Sequence, residues 1–168
     1  ACLYTDALGS ENVRGVNMPG PYTSATTKEI AQELAANLGI DYRVVPIDES
    51  VQWTQRQLAD CFPDLQVGSS VLENVQARDR STRVLAAVAA AWNGAFTCNG
   101  NKAEFSVGYA TMYGDATGYF AALGDLWKHQ VYELAQYINE RTPGRIPQKA
   151  LDIKPSAELS QQQAVEEG

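Results

Sequence analysis

The chain has one histidine, two methionines and three cysteines, and these scarcities close off classes of function. The lone His129 has no serine or cysteine plausibly placed against it, which rejects a hydrolytic triad. Cys2, Cys61 and Cys98 are widely spaced and odd in number. None belongs to a C-x-x-C pair, so they read as three reduced thiols, not a metal centre or a redox motif. No run of about 18 apolar residues occurs, which argues against a membrane-spanning helix. The opening stretch Ala1–Gly9 lacks the basic flank and long apolar segment of a secretion signal. Basic residues are the minority charge: 13 Lys and Arg against 20 Asp and Glu leave a formal net charge of −7. That balance excludes a protein gripping nucleic acid through its phosphates. A single nucleotide is a different matter, since it needs only a local cluster of donors and cations. The expectation is a cytoplasmic protein without nucleic-acid or membrane partners.

What is present suits one soluble α/β domain over residues 1–168, with 45% hydrophobic and 20% charged residues. Val13–Met18 is a short apolar-rich run closed by Pro19-Gly-Pro21 and reads as a buried strand. Thr23, Ser24, Thr26 and Thr27 offer helix N-caps, and Thr26 stands at capping-box spacing from Glu29. Ile30, Leu34 and Leu38 follow at helical spacing, with Gly39 as the stop. Tyr42–Ile47 reads as a second strand, Val51–Cys61 as a helix, and Leu72–Trp92 as one long alanine-rich helix. Ala95–Cys98 is a candidate third strand, Trp127–Asn139 an amphipathic helix, and the tail from Thr142 irregular. Strands alternating with helices indicate a three-layer sandwich around a mostly parallel sheet. Ligands in such sheets sit beyond the carboxyl ends of the strands, here just after Met18 and just after Cys98.

The segment Asn99-Gly-Asn-Lys-Ala-Glu104 carries most of the chemical information. Gly100 permits close backbone approach to a phosphate or base, and Glu104 offers a carboxylate oxygen to magnesium. The same residues also fit a plain N-cap with a solvated Lys and Glu on the first turn. Tyr113-Gly-Asp115 opens a loop that covers a ligand or is simply a turn. Lys128, after Gly124-Asp-Leu-Trp127, neutralises charge on a transferring phosphoryl group or is a surface lysine. Asn74 and Arg78 share one helix face, and Arg78 either binds an anion bidentately or joins a solvated basic face with Arg80 and Arg83.

Six segments in order resemble the synthetase domain of NAD synthetases, of the glutamine-dependent type. They are Asp6–Gly9 with Gly15–Pro19; Glu73–Arg78; Gly100–Glu104; Val107–Tyr109 with Tyr113–Asp115; Asp125–Lys128 with Gln130–Ala135; and Lys154–Glu158. Any one is weak; six in register are specific and cover nearly the whole chain. The resemblance implies the adenine nucleotide alpha hydrolase-like, Rossmann-like fold of the N-type ATP pyrophosphatases. It also implies ATP and magnesium as cofactors, and adenylation of the nicotinate carboxylate of deamido-NAD, after which ammonia displaces AMP to give NAD. Carried over by position, Glu104 is the magnesium ligand and Lys128 the catalytic lysine on the ATP phosphates. Asn99 and Ser156 are further ATP contacts, and Met18 is the edge against which adenine packs. Arg78 contacts deamido-NAD, and Asp115 belongs to the loop over the dinucleotide.

Three positions depart from the family pattern. Asn99 stands where many members have threonine. Met112 stands where ammonia-only members often carry a substrate-binding lysine, which favours the glutamine-dependent branch. Ala116–Phe120 is bulkier than the usual glycine-rich loop. The resemblance further implies a Ser-Gly-Gly-x-Asp-Ser pyrophosphate loop a few residues before Ala1. Its absence, and the polar acidic stretch Gln161–Gly168, give the expectation of a domain incomplete at both ends and inactive alone. A homodimer, with Leu72–Trp92 as candidate surface, and a fused glutaminase domain also follow from the resemblance. The alternatives are another ATP-pyrophosphatase amidotransferase with a different acceptor, and a catalytically silent nucleotide-binding homologue.

Overall fold

In a computed structural model, residues 1–163 are described. Helix α1 (Cys2–Leu8) ends at Gly9, and a short 3₁₀ turn leads into β1 (Arg14–Asn17). Strand β1 pairs in parallel with β2 (Asp41–Val44), with Arg14 opposite Asp41 and Asn17 opposite Val44. Parallel neighbours need a crossover, and α2 (Ala25–Leu38) supplies it. The ladder extends past both strands: Val45 N donates to Asn17 O at 2.8 Å and Ile47 N to Pro19 O at 3.0 Å. An Arg14–Asp41 ion pair (2.6 Å) and an Asn17–Tyr42 hydrogen bond (2.8 Å) cross the pair and reinforce this register.

Of the four candidate caps of α2, Ser24 is the one used, its hydroxyl accepting from Thr27 N at 3.1 Å, so the Thr26–Glu29 spacing is not. Gly39 stops the helix in the left-handed region at φ 63°, where a Cβ is penalised. Helix α3 (Asp48–Cys61) begins three residues earlier than its apolar spacing suggests, with Asp48 and Glu49 on the favourable positive end of its dipole. The core gathers Ile47, Val51 and Val84, against which Val16, Met18, Val45, Val75 and Val88 pack. Burying branched chains of this size contributes roughly 1.5–3 kcal/mol each, so this cluster holds the strand ends in place.

The long alanine-rich helix is not uniform. It runs as α4 (Ser69–Arg78), a π-helical stretch over Asp79–Leu85, and α5 (Ala86–Ala91). The wider turns change which side chains face inward, and Gln76, Ala77, Ser81, Val84 and Ala89 are buried. The candidate strand Ala95–Cys98 belongs to no ladder among the described residues. Its backbone meets the stretch around Tyr119 and Phe120 instead: Tyr119 N donates to Phe96 O at 2.8 Å and Cys98 N to Phe120 O at 3.0 Å. Two isolated bonds are too few for a regular strand. Helix α6 (Lys102–Val107) follows, closed by Gly108 at φ 69°, and α7 (Lys128–Arg141) packs beyond the intervening loop. The tail is less irregular than its composition suggests, because Pro147 starts a short helix α8 (Gln148–Asp152). No helix among the described residues is long and apolar enough to cross a membrane.

Candidate active site

The two positions anticipated beyond the strand ends are occupied by different kinds of group. After the extended stretch ending at Cys98, Asn101 caps α6: its Oδ1 accepts from Ala103 N (2.9 Å) and Glu104 N (3.2 Å). Glu104 returns the contact, with Oε2 accepting from Asn101 N at 2.9 Å. This is a complete capping box on Asn101, so the N-cap part of the plain reading is realised, with Glu104 engaged in the box rather than simply solvated. It uses only one carboxylate oxygen. The other, Oε1, faces Lys128 Nζ at 3.9 Å.

Lys128 is the first residue of α7, and Gln130 Oε1 accepts from Trp127 N at 2.9 Å to close that helix start. A lysine there is electrostatically misplaced, since the helix dipole favours anions at its N-terminus by about 0.3–1 kcal/mol. The ammonium also lies 5.9 Å from the Tyr132 ring. A backbone bond from Lys102 N to Leu126 O (2.9 Å) fixes the two helix starts relative to each other. Asn99 is exposed, its Oδ1 accepting from Thr97 Oγ1 at 3.1 Å.

The loop over residues 111–115 is held from two sides. On α4, Asn74 Oδ1 accepts from Thr111 Oγ1 (2.9 Å) and Arg78 Nε donates to Met112 O (3.2 Å). The spacing that puts Asn74 and Arg78 on one face therefore positions this loop. On the other side the buried Cys98 thiol donates to Asp115 O at 3.1 Å, while Asp115 Oδ1 accepts from Thr111 N at 2.8 Å and closes the turn. Gly114 sits so close that a Cβ there would come within 2.9 Å of Ala77 Cβ. Arg78 and Asp115 thus belong to one assembly, tied through Cys98 to the Asn99–Glu104 segment.

Met18 and Ser156 lie in a separate arrangement on the other side of α4. Met18 is half-buried on the core, and its carbonyl accepts from Arg80 Nε at 2.9 Å. Burial pulls the Arg80 guanidinium below its ordinary pKa, opposed by the charges of Asp79, Asp48 and Glu158. Arg80 is therefore an inward cation, not part of the solvated basic face its sequence neighbours suggest. Arg83 does face outward and pairs with Asp79 at 2.5 Å. Burial pushes the Asp79 carboxyl up, but hydrogen bonds from Arg83 and Ser50 outweigh it and hold the pKa below its ordinary value. Ser156 is exposed and donates to Gln163 O. Just beyond it Glu158 Oε1 accepts from Thr27 Oγ1 (2.9 Å), and Gln76 Nε2 donates to Leu159 O (2.7 Å). Sequence reasoning passed over Arg80, Gln76, Thr27 and Glu158 as a working group. Only the Lys154–Glu158 segment gave a signal, since a π turn leaves no trace in helical spacing.

Among the described residues no three or more of His, Cys, Asp and Glu gather into a metal-binding group. An apolar cavity of about 180 Å³ lies among Cys2, Leu34, Cys98, Val131, Leu134 and Ile138. No acidic or basic side chain lines it.

Comparison with known proteins places the chain among relatives of one kind. The glutamine-dependent NAD(+) synthetase of Aquifex aeolicus is 40% identical over 161 residues, covering 95% of this chain and 28% of that protein. The NH(3)-dependent NAD(+) synthetase of Halobacterium salinarum is 35% identical over 95% of this chain and 55% of that protein. Among solved structures, the glutamine-dependent NAD+ synthetase of Acinetobacter baumannii in complex with ADP superposes with a TM-score of 0.84. It is 36% identical and is matched over 89% of this chain and 28% of its own. The chain therefore spans between about a quarter and about half of these relatives. The likeness extends the α/β reading to their Rossmann-like, adenine nucleotide alpha hydrolase-like fold. The sequence profile described as NAD synthase matches residues 1–168, from the first residue to the last, and the chain belongs to the NAD synthase family.

Proposed function

We propose that this chain forms part of an enzyme that amidates deamido-NAD to NAD at the expense of ATP. The observation that carries the reading is the facing of Glu104 and Lys128 across two helix starts, 3.9 Å apart. A lysine at a helix N-terminus adds a full positive charge to the partial one of the helix dipole, an arrangement that suits the α- and β-phosphates of ATP. In this reading Asn99 and Ser156 add polar contacts to ATP, and adenine packs against the strand end at Met18. Arg78 and Asp115 hold the deamido-NAD side through the loop over residues 111–115.

The chemistry proceeds in two steps. A nicotinate carboxylate oxygen attacks the α-phosphorus, and the bond to pyrophosphate breaks. Ammonia then attacks the activated carbonyl carbon, the carbon–oxygen bond to AMP breaks, and nitrogen loses a proton. Lys128 opposes the charge that grows on phosphate oxygens in the first step, the kind of stabilisation that enzymes supply most effectively from fixed groups. Arg78 orients the dinucleotide, and its hydrogen bond to Met112 O keeps the covering loop on the same face.

Magnesium suits the donors. It is ordinarily held by one or two carboxylates with phosphate oxygens and water, and Glu104 Oε1 is the carboxylate oxygen the capping box leaves over. The ion would supply further charge neutralisation at the phosphates. Ammonia arrives directly or from glutamine through a fused glutaminase domain, and Met112 favours the second route. A homodimer in the cytoplasm completes the proposal. In the full-length protein, ATP, deamido-NAD and ammonium should yield AMP, pyrophosphate and NAD in equal amounts; ADP and phosphate as products would overturn the adenylation step.

A further inference from the structure

The segment that carries Ser156 is held by unusual means. Glu158 is only 6% exposed, and its backbone is left-handed at φ 49° without being glycine. Such a conformation is rare outside glycine and persists only where surrounding contacts impose it. Here the contacts are specific. Ser24, the cap of α2, donates to Thr27 Oγ1 at 3.0 Å, and the Thr27 hydroxyl donates to Glu158 Oε1 at 2.9 Å. The next carbonyl, Leu159 O, accepts from Gln76, a side chain only 1% exposed. Glu158 N in turn approaches Ser156 Oγ at 3.4 Å. Arg80, whose charge Glu158 helps to counter, grips the strand end through Met18 O.

We propose that Glu158 is a positioning residue: by clasping Thr27 it sets the Ser156 hydroxyl relative to the strand end at Met18 for nucleotide binding. The inference rests on the reading of Ser156 and Met18 as ATP contacts. Glu158 touches no reacting atom. Its carboxylate accepts from Thr27 at the head of α2, and its backbone N–H approaches the Ser156 hydroxyl, so the Ser156 turn is tied by a long-range tether to an element 131 residues away in sequence.

The experiment is a double-mutant cycle in the full-length protein, with KM for ATP, KM for deamido-NAD and kcat measured for each variant. Glu158→Ala should raise KM for ATP at least about tenfold and leave KM for deamido-NAD within about twofold. Combined with Ser156→Ala the effect should not exceed that of the larger single change, because the two residues act as one unit. Thr27→Val breaks the same tether from the opposite end without touching Glu158, and should reproduce the rise if Glu158→Ala folds poorly. Additive effects, equal rises in both KM values, or an unchanged KM for ATP in Thr27→Val would overturn the proposal. Failure of the wild-type protein to form NAD would instead overturn the synthetase reading.

Discussion

Glu104 Oε1 and Lys128 Nζ stand 3.9 Å apart, one from the first turn of α6 and the other from the first residue of α7. Both side chains are substantially exposed, and exposed ion pairs contribute only about 0–1 kcal/mol. Stability alone therefore gives little reason for the pairing. Lys128 sits at the wrong end of its helix for stability, and such local conflicts gather at functional sites. A charge-dense ligand entering between the two groups would resolve the conflict.

Glu104→Gln separates the two duties of this side chain. Glutamine still accepts from Asn101 N, so the capping box and the fold should survive. The magnesium concentration needed for half-maximal activity should rise sharply in the full-length protein. Superimposable magnesium titrations would reduce Glu104 to a helix cap.

Arg78→Ala removes the donor to Met112 O and the cation assigned to deamido-NAD. KM for deamido-NAD should rise at least about tenfold, the equivalent of roughly 1.4 kcal/mol, with KM for ATP nearly unchanged. Equal effects on both substrates would show that Arg78 only braces the loop.

Gly20 lies against the inward polar groups. A Cβ there would stand 2.8 Å from Gln76 Oε1 and 3.0 Å from Arg80 Nη2. Gln76 is buried and tethered to Leu159 O, so it has little room to yield. Gly20→Ala should destabilise the protein by about 1–3 kcal/mol, as overpacking does, and this is readable as a lowered denaturation midpoint. An unchanged midpoint would mean that Gln76 repacks freely.

Asp79 links α3 to the π turn through Ser50 and Arg83. Its folded pKa lies below the ordinary value, so it stabilises the fold above the unfolded pKa of about 3.9 and loses that contribution as pH falls through the folded value. Asp79→Asn should therefore be less stable at neutral pH and show a shallower loss of stability below about pH 4. Parallel acid titrations of the two proteins would contradict this.

Much of this arrangement was legible in the sequence where one local rule decides the outcome. The breaker Pro19-Gly-Pro21 marked the end of β1, Gly39 marked the end of α2, and the Asn74–Arg78 spacing marked a shared face. The α/β alternation was legible for the same reason. Where several long-range contacts compete, the sequence was mute. Apolar period does not record the π turn that sends Arg80 inward and Arg83 outward. Ala95–Cys98 has strand composition, yet its partner stretch offers only two backbone bonds. The Lys154–Glu158 motif gave no hint that Glu158 is buried, because its partner Thr27 lies 131 residues away.

The most direct test of the synthetase reading is NAD formation by the full-length protein supplied with deamido-NAD, ATP, magnesium and ammonium, with and without Lys128→Ala. The expected result is ATP-dependent NAD formation, slowed at least about tenfold by the substitution, which is roughly 1.4 kcal/mol of lost transition-state stabilisation. A folded, ATP-binding protein that forms no NAD, or a Lys128→Ala variant as fast as the wild type, would contradict it.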